Sequence, residues 1–246
     1  SNTTSRQNER KNKFRMLKQI LTFIYPKLCY ACDRELRHPE THVCLHCQED
    51  IPVLSQEHDH HINENRVLQL FWGKSEVDYA TSCFLYVKGE KLQTLIHELK
   101  YKGAQDLAKY FGKIMSDHFA KNANFKEVKA ICYVPSNKQK IKNRGYNQAE
   151  KLASVISSQT SLPCLNLLIK KKETDSQTSK SVHDRHLNLE KSFSINPKSK
   201  LTTHCDHVLL IDDVITSGAT LNACANTLRK QLNLKVSVLT LAFRDI

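Results

Sequence analysis

A chain of 246 residues with 40% apolar side chains is long enough for one sizeable domain plus a small module, and its composition excludes a disordered or fibrous protein. The longest apolar runs, at 20–25 and 208–211, are far too short to cross a bilayer, and the polar, basic stretch 1–13 has no apolar core behind it, so neither a membrane span nor a secretion leader is expected and the cytoplasm is the expected location. Thirty-seven Lys and Arg against 25 Asp and Glu leave +12, and positions 137–191 hold eleven basic and five acidic residues, a net +6; such a concentration suits phosphorylated ligands or nucleic acid, or is only a solvated surface.

Positions 1–13 are set aside as a tag or a disordered segment. Over 14–52 the pattern predicts an amphipathic helix followed by a small metal module. Phe14, Leu17, Leu21 and Ile24 repeat at helical spacing among Lys11, Lys13, Arg15 and Lys18, and Pro26 ends the run. Cys29-x-x-Cys32 is then followed, after eleven residues, by Cys44-x-x-Cys47. Each pair puts two thiolates on a tight turn, and two such turns facing one another make a tetrahedral sulfur site for zinc, or for iron, rather than for a hard cation. Four protein thiolates leave no open coordination position, so the metal is expected to be structural and to supply the folding free energy that so short a module lacks. His42 and His46 lie close enough in sequence to replace one ligand, although surface neighbours are the simpler reading. The remaining cysteines considered, Cys83, Cys132, Cys164 and Cys224, sit among apolar or small residues and read as core thiols. Positions 53–78 read as a linker, with His58, His60 and His61 as a polar cluster of no assigned role.

From 79 to 246 the texture changes to alternating strand and helix signals. Strands are predicted over 80–87, 128–134, 207–211 and 236–243, and helices over 92–101, 107–119, 146–158 and 219–232. This alternation implies an α/β fold with a mainly parallel sheet flanked by helices, in which ligands bind beyond the carboxyl ends of the strands. The informative stretch is V-L-L-I-D-D-V-I-T-S-G-A-T-L at 208–221. An apolar strand delivers Asp212 and Asp213 at its end and turns through Thr216, Ser217, Gly218, Ala219 and Thr220 into a helix. Gly218 permits a tight bend with close approach of the backbone to a ligand. The exposed amides and hydroxyls at the helix N-terminus form a monophosphate cradle, and the carboxylates suit sugar hydroxyls and a Mg²⁺ ion. A Walker B strand looks similar, but neither G-x-x-x-x-G-K-[ST] nor G-x-G-x-x-G occurs among the six glycines.

This stretch resembles the loop that binds phosphoribosyl pyrophosphate (PRPP) in type I phosphoribosyltransferases. Val134-Pro135-Ser136, Lys140 and Arg144-Gly145-Tyr146-Asn147-Gln148-Ala149-Glu150 resemble the signature of the ComF family. So do Ser176-Gln177-Thr178 with Arg185, Asn188 and Phe193, and the helix carrying Leu95, Leu99, Lys100, Tyr101, Lys102 and Gly103. Pro26 entering the four-cysteine module completes that family's order, a zinc-ribbon-like module followed by a type I phosphoribosyltransferase fold, so the resemblance covers about 25–246. Asp33 departs from the pattern, because many relatives carry glycine just after the second cysteine.

The resemblance implies PRPP with Mg²⁺ as ligand, Zn²⁺ as structural ion, and phosphoribosyl transfer to an unknown acceptor. It also implies a competence role in handling single-stranded DNA beside a helicase-like partner. Asp212 and Asp213 would orient the ribose, with Arg185 as a third catalytic residue and Lys171 beside it on a loop, about 170–188, that closes over the reacting centre. Thr216, Ser217, Gly218, Ala219, Thr220, Lys100, Lys102, Pro135 and Arg144 would hold PRPP. Lys138, Lys140, Lys142 and Arg144 form a basic path on which Tyr146 would stack a base.

Overall fold

The computed structural model describes residues 26–54, 65–100, 105–171, 191–201 and 205–245. The chain divides after Asp50 into a small unit and a larger one beginning at Ile51. The expected helix around Phe14–Ile24 and the histidines 58, 60 and 61 lie outside the described residues.

In the small unit short backbone bonds stand in for a core. The Cys29 N–H donates to the Arg34 carbonyl (2.8 Å) and the Asp33 N–H to the Cys29 carbonyl (2.9 Å), while Leu28 and Glu35 form an antiparallel bridge. Helix α1 (Leu45–Glu49) follows, with Cys44 as its N-cap. Glu40 holds the intervening loop, its carboxylate accepting from the Arg37 N–H (2.7 Å) and the Leu45 N–H (2.8 Å). Those amides hold its carboxyl below the usual range, against a smaller opposing effect of burial.

The larger unit runs α2 (Arg66–Gln69), β1 (Tyr79–Leu85), α3 (Lys91–Leu99), α4 (Gln105–Lys121), β2 (Ala130–Tyr133), α5 (Lys138–Arg144), α6 (Gln148–Thr160), β3 (Cys164–Leu165), β4 (Leu168–Lys170), β5 (Phe193–Ile195), β6 (His207–Ile215), α7 (Ala219–Leu232) and β7 (Lys235–Phe243). Five strands form one sheet in the order β1-β7-β6-β2-β3, every adjacent pair parallel, and β4 and β5 make a separate antiparallel ladder. The central strands β6 and β7 are near-continuous apolar runs because helices cover both faces. Helices α4 and α6 pack on each other and on one face, so closely that a Cβ on Gly112 would lie 2.5 Å from the Val155 Cβ. Helix α7 and the β4–β5 ladder cover the other, around Leu221, Cys224, Leu228, Leu168 and Phe193.

The expected α/β architecture is therefore present, a mainly parallel sheet flanked by helices with a four-cysteine module ahead of it. The linker assigned to 53–78 needs correction. Val67, Leu68 and Phe71 are buried in the same core as α7 and the sheet. Asn65 fixes them there: its Oδ1 caps α2 through the Leu68 N–H (2.9 Å), and its Nδ2 donates to the Ala80 carbonyl (2.9 Å) on β1. The helix predicted over 146–158 is α6 (Gln148–Thr160), and a short helix the pattern did not predict, α5, precedes it, the two parted at Gly145, whose φ of 88° is left-handed.

Candidate functional site

Strand β6 runs past its predicted end. It stays paired with β7 through Asp212↔Thr240 and Ile215↔Phe243, whereas its pairing with β2 ends at Tyr133↔Ile211 and one further bond from the Val134 N–H to the Ile211 carbonyl (3.0 Å). Asp212 and Asp213 thus stand where β6 has lost one neighbour, open at the carboxyl edge beside Pro135. Asp212 Oδ1 accepts from the Asp213 N–H and Asp213 Oδ1 from the Val214 N–H, both at 2.9 Å. Burial first, then the charge of Asp213, raises the Asp212 carboxyl well above the ordinary carboxylate range, and the charge of Lys100 opposes that rise. Two crowded carboxyls of this kind favour a cation or sugar hydroxyls as company.

The turn from β6 into α7 exposes Thr216 and Ser217 and buries Gly218. Gly218 has φ 73° and caps α7 by position with no side-chain cap bond, so no capping side chain occupies the first-turn amides. Glycine is required here for a reason the sequence did not reveal. A Cβ would meet the Leu70 Cβ and the Asn222 Nδ2, each at 3.2 Å, on the protein side of the loop. Asn222 binds the loop to the 65–75 segment, donating to the Gly218 carbonyl (3.0 Å) and the Leu70 carbonyl (3.2 Å) while accepting from the Ser75 hydroxyl (2.6 Å). No motif pointed to Asn222.

The second arm is the connection after β2. Asn147 Nδ2 donates to the Val134 carbonyl (3.0 Å) and Asn147 Oδ1 accepts from the Ser136 hydroxyl (3.1 Å), which fastens Pro135 and Ser136 to the start of α6. Helix α5 between them buries none of its residues, and Lys138, Lys140 and Lys142 are exposed. Arg144 is half-buried and donates to Gln148 Oε1 (3.1 Å). Tyr146 is buried and its hydroxyl donates to the Leu99 carbonyl. That overturns its reading as a base-stacking platform, since its ring is spent inside the protein. The same bond brings the Arg144–Tyr146 turn to the end of α3, where Lys100 is the C-cap.

The predicted residues Asp212, Asp213, Thr216, Ser217, Gly218, Ala219, Thr220, Pro135, Lys100 and Arg144 therefore gather along one edge of the sheet. Lys102 and Arg185 lie outside the described residues. Lys171 is exposed at the end of β4, its N–H bonded to the Ser192 carbonyl (2.8 Å). Lys170 was not singled out in the sequence. Its charge nonetheless opposes the rise of the Cys224 thiol, which burial first and then Asp212 push upward, so it belongs to the same electrostatic neighbourhood.

In the small unit Cys29, Cys32, Cys44 and Cys47 place their Sγ atoms within 4.8 Å of one another, and Cys32 and Cys44 are 3.8 Å apart. A tetrahedron with Zn–S bonds of about 2.3 Å has edges of about 3.8 Å, so the donor set fits a metal of that size. Amides of Ala31 (3.4 Å) and Cys44 (3.3 Å) point at Cys29 Sγ. Burial raises this thiol, but the amides of Cys44, Ala31 and Cys32 outweigh it and lower it to about 7. Burial raises Cys47. His42 is bonded to the Thr41 hydroxyl (2.9 Å) and His46 is exposed beside Asp50, so neither belongs to the cluster. Asp33 adopts φ 58°, a left-handed turn that glycine would take without strain.

No family model matches the chain. It is 31% identical over 209 residues to Competence protein F of Haemophilus influenzae, covering 82% of this chain and 84% of that protein. It is 24% identical to Competence protein ComFC of Bacillus subtilis, with 82% and 78% covered, and 27% identical to Competence protein ComFC of Streptococcus pneumoniae, with 84% and 86% covered. Solved structures resembling it include an adenine phosphoribosyltransferase from Leishmania tarentolae (TM-score 0.37, 10% identity, 77% of this chain and 89% of that one). A xanthine-guanine-hypoxanthine phosphoribosyltransferase of Helicobacter pylori resembles it too (TM-score 0.34, 14% identity, 57% and 82% covered). Superpositions this loose carry no argument about chemistry.

Proposed function

The chain belongs to the ComF family, that of Competence protein F, and from that premise we propose that it binds PRPP at the carboxyl end of β6 and transfers the phosphoribosyl group to a nitrogen acceptor. The observation that carries the reading is the conjunction at one strand end of two adjacent carboxyls, Asp212 and Asp213, and a helix N-terminus with no side-chain cap. Amides and hydroxyls of Thr216, Ser217, Gly218, Ala219 and Thr220 receive the 5′-phosphate, with the positive end of α7 behind them. Asp212 and Asp213 accept from the ribose hydroxyls. Pro135, Lys100 and Arg144 meet the pyrophosphate end, with Lys102 and Arg185 completing the cationic set. Asp212 and Asp213 would hold Mg²⁺, which would neutralise substrate charge.

In the transfer a bond forms from the acceptor nitrogen to the anomeric carbon as the bond from that carbon to pyrophosphate oxygen breaks. Pyrophosphate keeps the electron pair, and the cations stabilise it as it leaves. Cys29, Cys32, Cys44 and Cys47 would hold Zn²⁺ as a structural ion. Calorimetric titration of PRPP with Mg²⁺ tests the binding reading. Saturable heat that Asp212→Asn strongly reduces is expected; no heat, or an unchanged variant, would sink it.

A second reading, competence-related handling of single-stranded DNA without turnover, is favoured by the exposed Lys138, Lys140 and Lys142 on α5. At about −0.7 per neutralised phosphate, three or four contacts give a slope of log K against log salt of roughly −2 to −3. Binding that is unchanged by salt or by Lys140→Glu with Lys142→Glu rejects that path.

A further inference from the structure

The opposite edge of the sheet, at the amino ends of β6 and β7, lies a strand length of about 25 Å from the phosphate loop. A cleft of about 800 Å³ opens there between the last turns of α7 and residues 73–76. A strap shapes it. Residues 70–78 are tied to α7 at successive turns. Asn222 donates to the Leu70 carbonyl (3.2 Å) and accepts from the Ser75 hydroxyl (2.6 Å), and Asn226 donates to the Lys74 carbonyl (3.1 Å). Arg229 then donates to Glu76 (2.6 Å) and Asp78 (3.1 Å), and Asp78 accepts from the Val236 N–H (2.9 Å) on β7.

Those bonds leave the cleft with unspent positive charge. Arg229 neutralises Glu76, while Lys74, Lys230 and Lys235 are exposed, make no ion pair among the described residues, and share the cleft with one remaining carboxylate, that of Asp206. A cation in the last turn of α7 offsets the exposed carbonyls of a helix end, which accounts for Lys230. Lys74 comes from the strap and Lys235 from β7, so that need does not place them. Like charges gathered from three elements repel one another unless an anion sits among them. Apart from Gly73, Leu234 is the one apolar residue of the lining among the described residues. Small-molecule sites are mostly apolar and about 300–1,000 Å³ in volume. A cleft this polar holds its occupant by charge and hydrogen bonds, and it has room for a nucleotide-sized molecule.

We propose that this cleft binds a polyphosphate chain, free or carried on a nucleoside, and that its occupancy strengthens binding at the phosphate loop. The second half rests on the PRPP reading above. The lysine ammonium groups meet phosphate oxygens as compact point charges. The link to the loop is Asn222, which holds the Ser75 hydroxyl on one side and the Gly218 carbonyl (3.0 Å) on the other. Gly218 packs against Leu70, so the loop needs the strap where it is. A ligand that fixes Lys74 fixes the same strap. The two ligands therefore favour one arrangement of residues 70–75, and linkage makes each tighten the other by the same factor.

The test titrates tripolyphosphate and ATP, without Mg²⁺, into the full chain by calorimetry. It also follows the emission of Trp72, the single tryptophan, half-exposed beside Gly73 at the rim. Saturable heat with a change in emission is expected. Equal affinities identify the phosphate chain as the ligand, and a preference for ATP identifies the nucleotide. Lys230→Glu with Lys235→Glu, both at exposed positions, should weaken binding about tenfold or more. Filling the phosphate loop with ribose 5-phosphate, which has no polyphosphate chain, should tighten the anion about fivefold. No saturable binding by either anion overturns the proposal, as does binding indifferent to the lysine pair or displaced by ribose 5-phosphate. A single-stranded oligonucleotide bound through the same lysines in preference to both anions overturns it too. An affinity that ribose 5-phosphate leaves unmoved overturns the coupling. Failure of ribose 5-phosphate itself to bind counts against the reading of the phosphate loop, while the lysine pair still decides whether the cleft takes the anion.

Discussion

The two units hold themselves together by different means. In the small unit the buried apolar side chains among the described residues are Val43 and three of the four clustered cysteines. In the large unit Phe111, Phe125, Met115, Leu152 and Ile156 are wholly buried alongside the apolar first half of β6 and nearly all of β7. Apolar burial contributes about 25 cal/mol per Å², and only the large unit has enough of it to fold by that route. The small one folds around its sulfur atoms. A consequence follows for function: a site in the large unit can be altered without unfolding it, whereas the cysteine cluster is both site and core.

The sharpest way to break this contrast is Cys44→Ser. Structural zinc in small modules supplies about 10–16 kcal/mol of binding free energy that is also folding free energy. Elemental analysis should show the metal lost, and amide exchange should show protection lost over 26–50 and kept from 51 to 245. Loss of protection throughout the chain would mean the units are not independent in this sense.

Gly218→Val sharpens the other side. The left-handed φ of 73° disfavours a β-branched residue, and the new Cβ presses on Leu70 and Asn222 at 3.2 Å. Left-handed backbone costs about 1–2 kcal/mol and overpacking about 1–3, so urea unfolding should show a loss of about 2–5 kcal/mol with PRPP binding abolished. The damage is expected to reach the 65–75 segment, since Asn222 ties that segment to the loop.

That coupling marks the limit of what the sequence could tell. The strand-to-loop-to-helix turn at 208–221 was legible because apolar continuity, paired acids and a glycine each have a local physical meaning. The sulfur cluster was legible because metal geometry constrains spacing. The segment around Phe71 was misread as linker because its apolar residues are few and its anchor, Asn65, acts across fifteen positions on Ala80. Tyr146 looked like an exposed aromatic in a basic run, and only the fold shows its hydroxyl turned to the Leu99 carbonyl. Strands β3, β4 and β5 are too short to leave a periodic signal.

Asp212→Asn is the next smaller effect and should raise stability while reducing ligand binding. An acid whose folded carboxyl lies above its unfolded value of about 3.9 stabilises the fold while protonated, and that contribution is lost as pH rises through the folded value. Asp212 is such a group. In the absence of ligand the variant should therefore be more stable to urea unfolding than the parent at pH 8, by about 0.5–2 kcal/mol as stabilising changes commonly give, with the gap closing towards pH 4. A gap that widens on acidification would reverse the assignment.

The smallest effect tests the turn after Cys32. Asp33 sits at φ 58° with its N–H donated to the Cys29 carbonyl at 2.9 Å, so the turn geometry is fixed by the knuckle and not by the side chain. Glycine takes left-handed backbone without strain but adds about 0.4–1 kcal/mol of unfolded-state entropy to be lost, whereas aspartate tolerates it at a modest cost. The two nearly cancel, and Asp33→Gly should hold zinc about as tightly as the parent, within about threefold, in a chelator competition. Asp33→Val keeps a side chain of similar size, but its β-branched carbon cannot enter the left-handed region without the full penalty of about 1–2 kcal/mol. Zinc affinity should then fall about tenfold. Were valine tolerated as well as glycine, the left-handed turn would contribute nothing to holding the four sulfur atoms, and the module's order would have to come from the metal bonds alone.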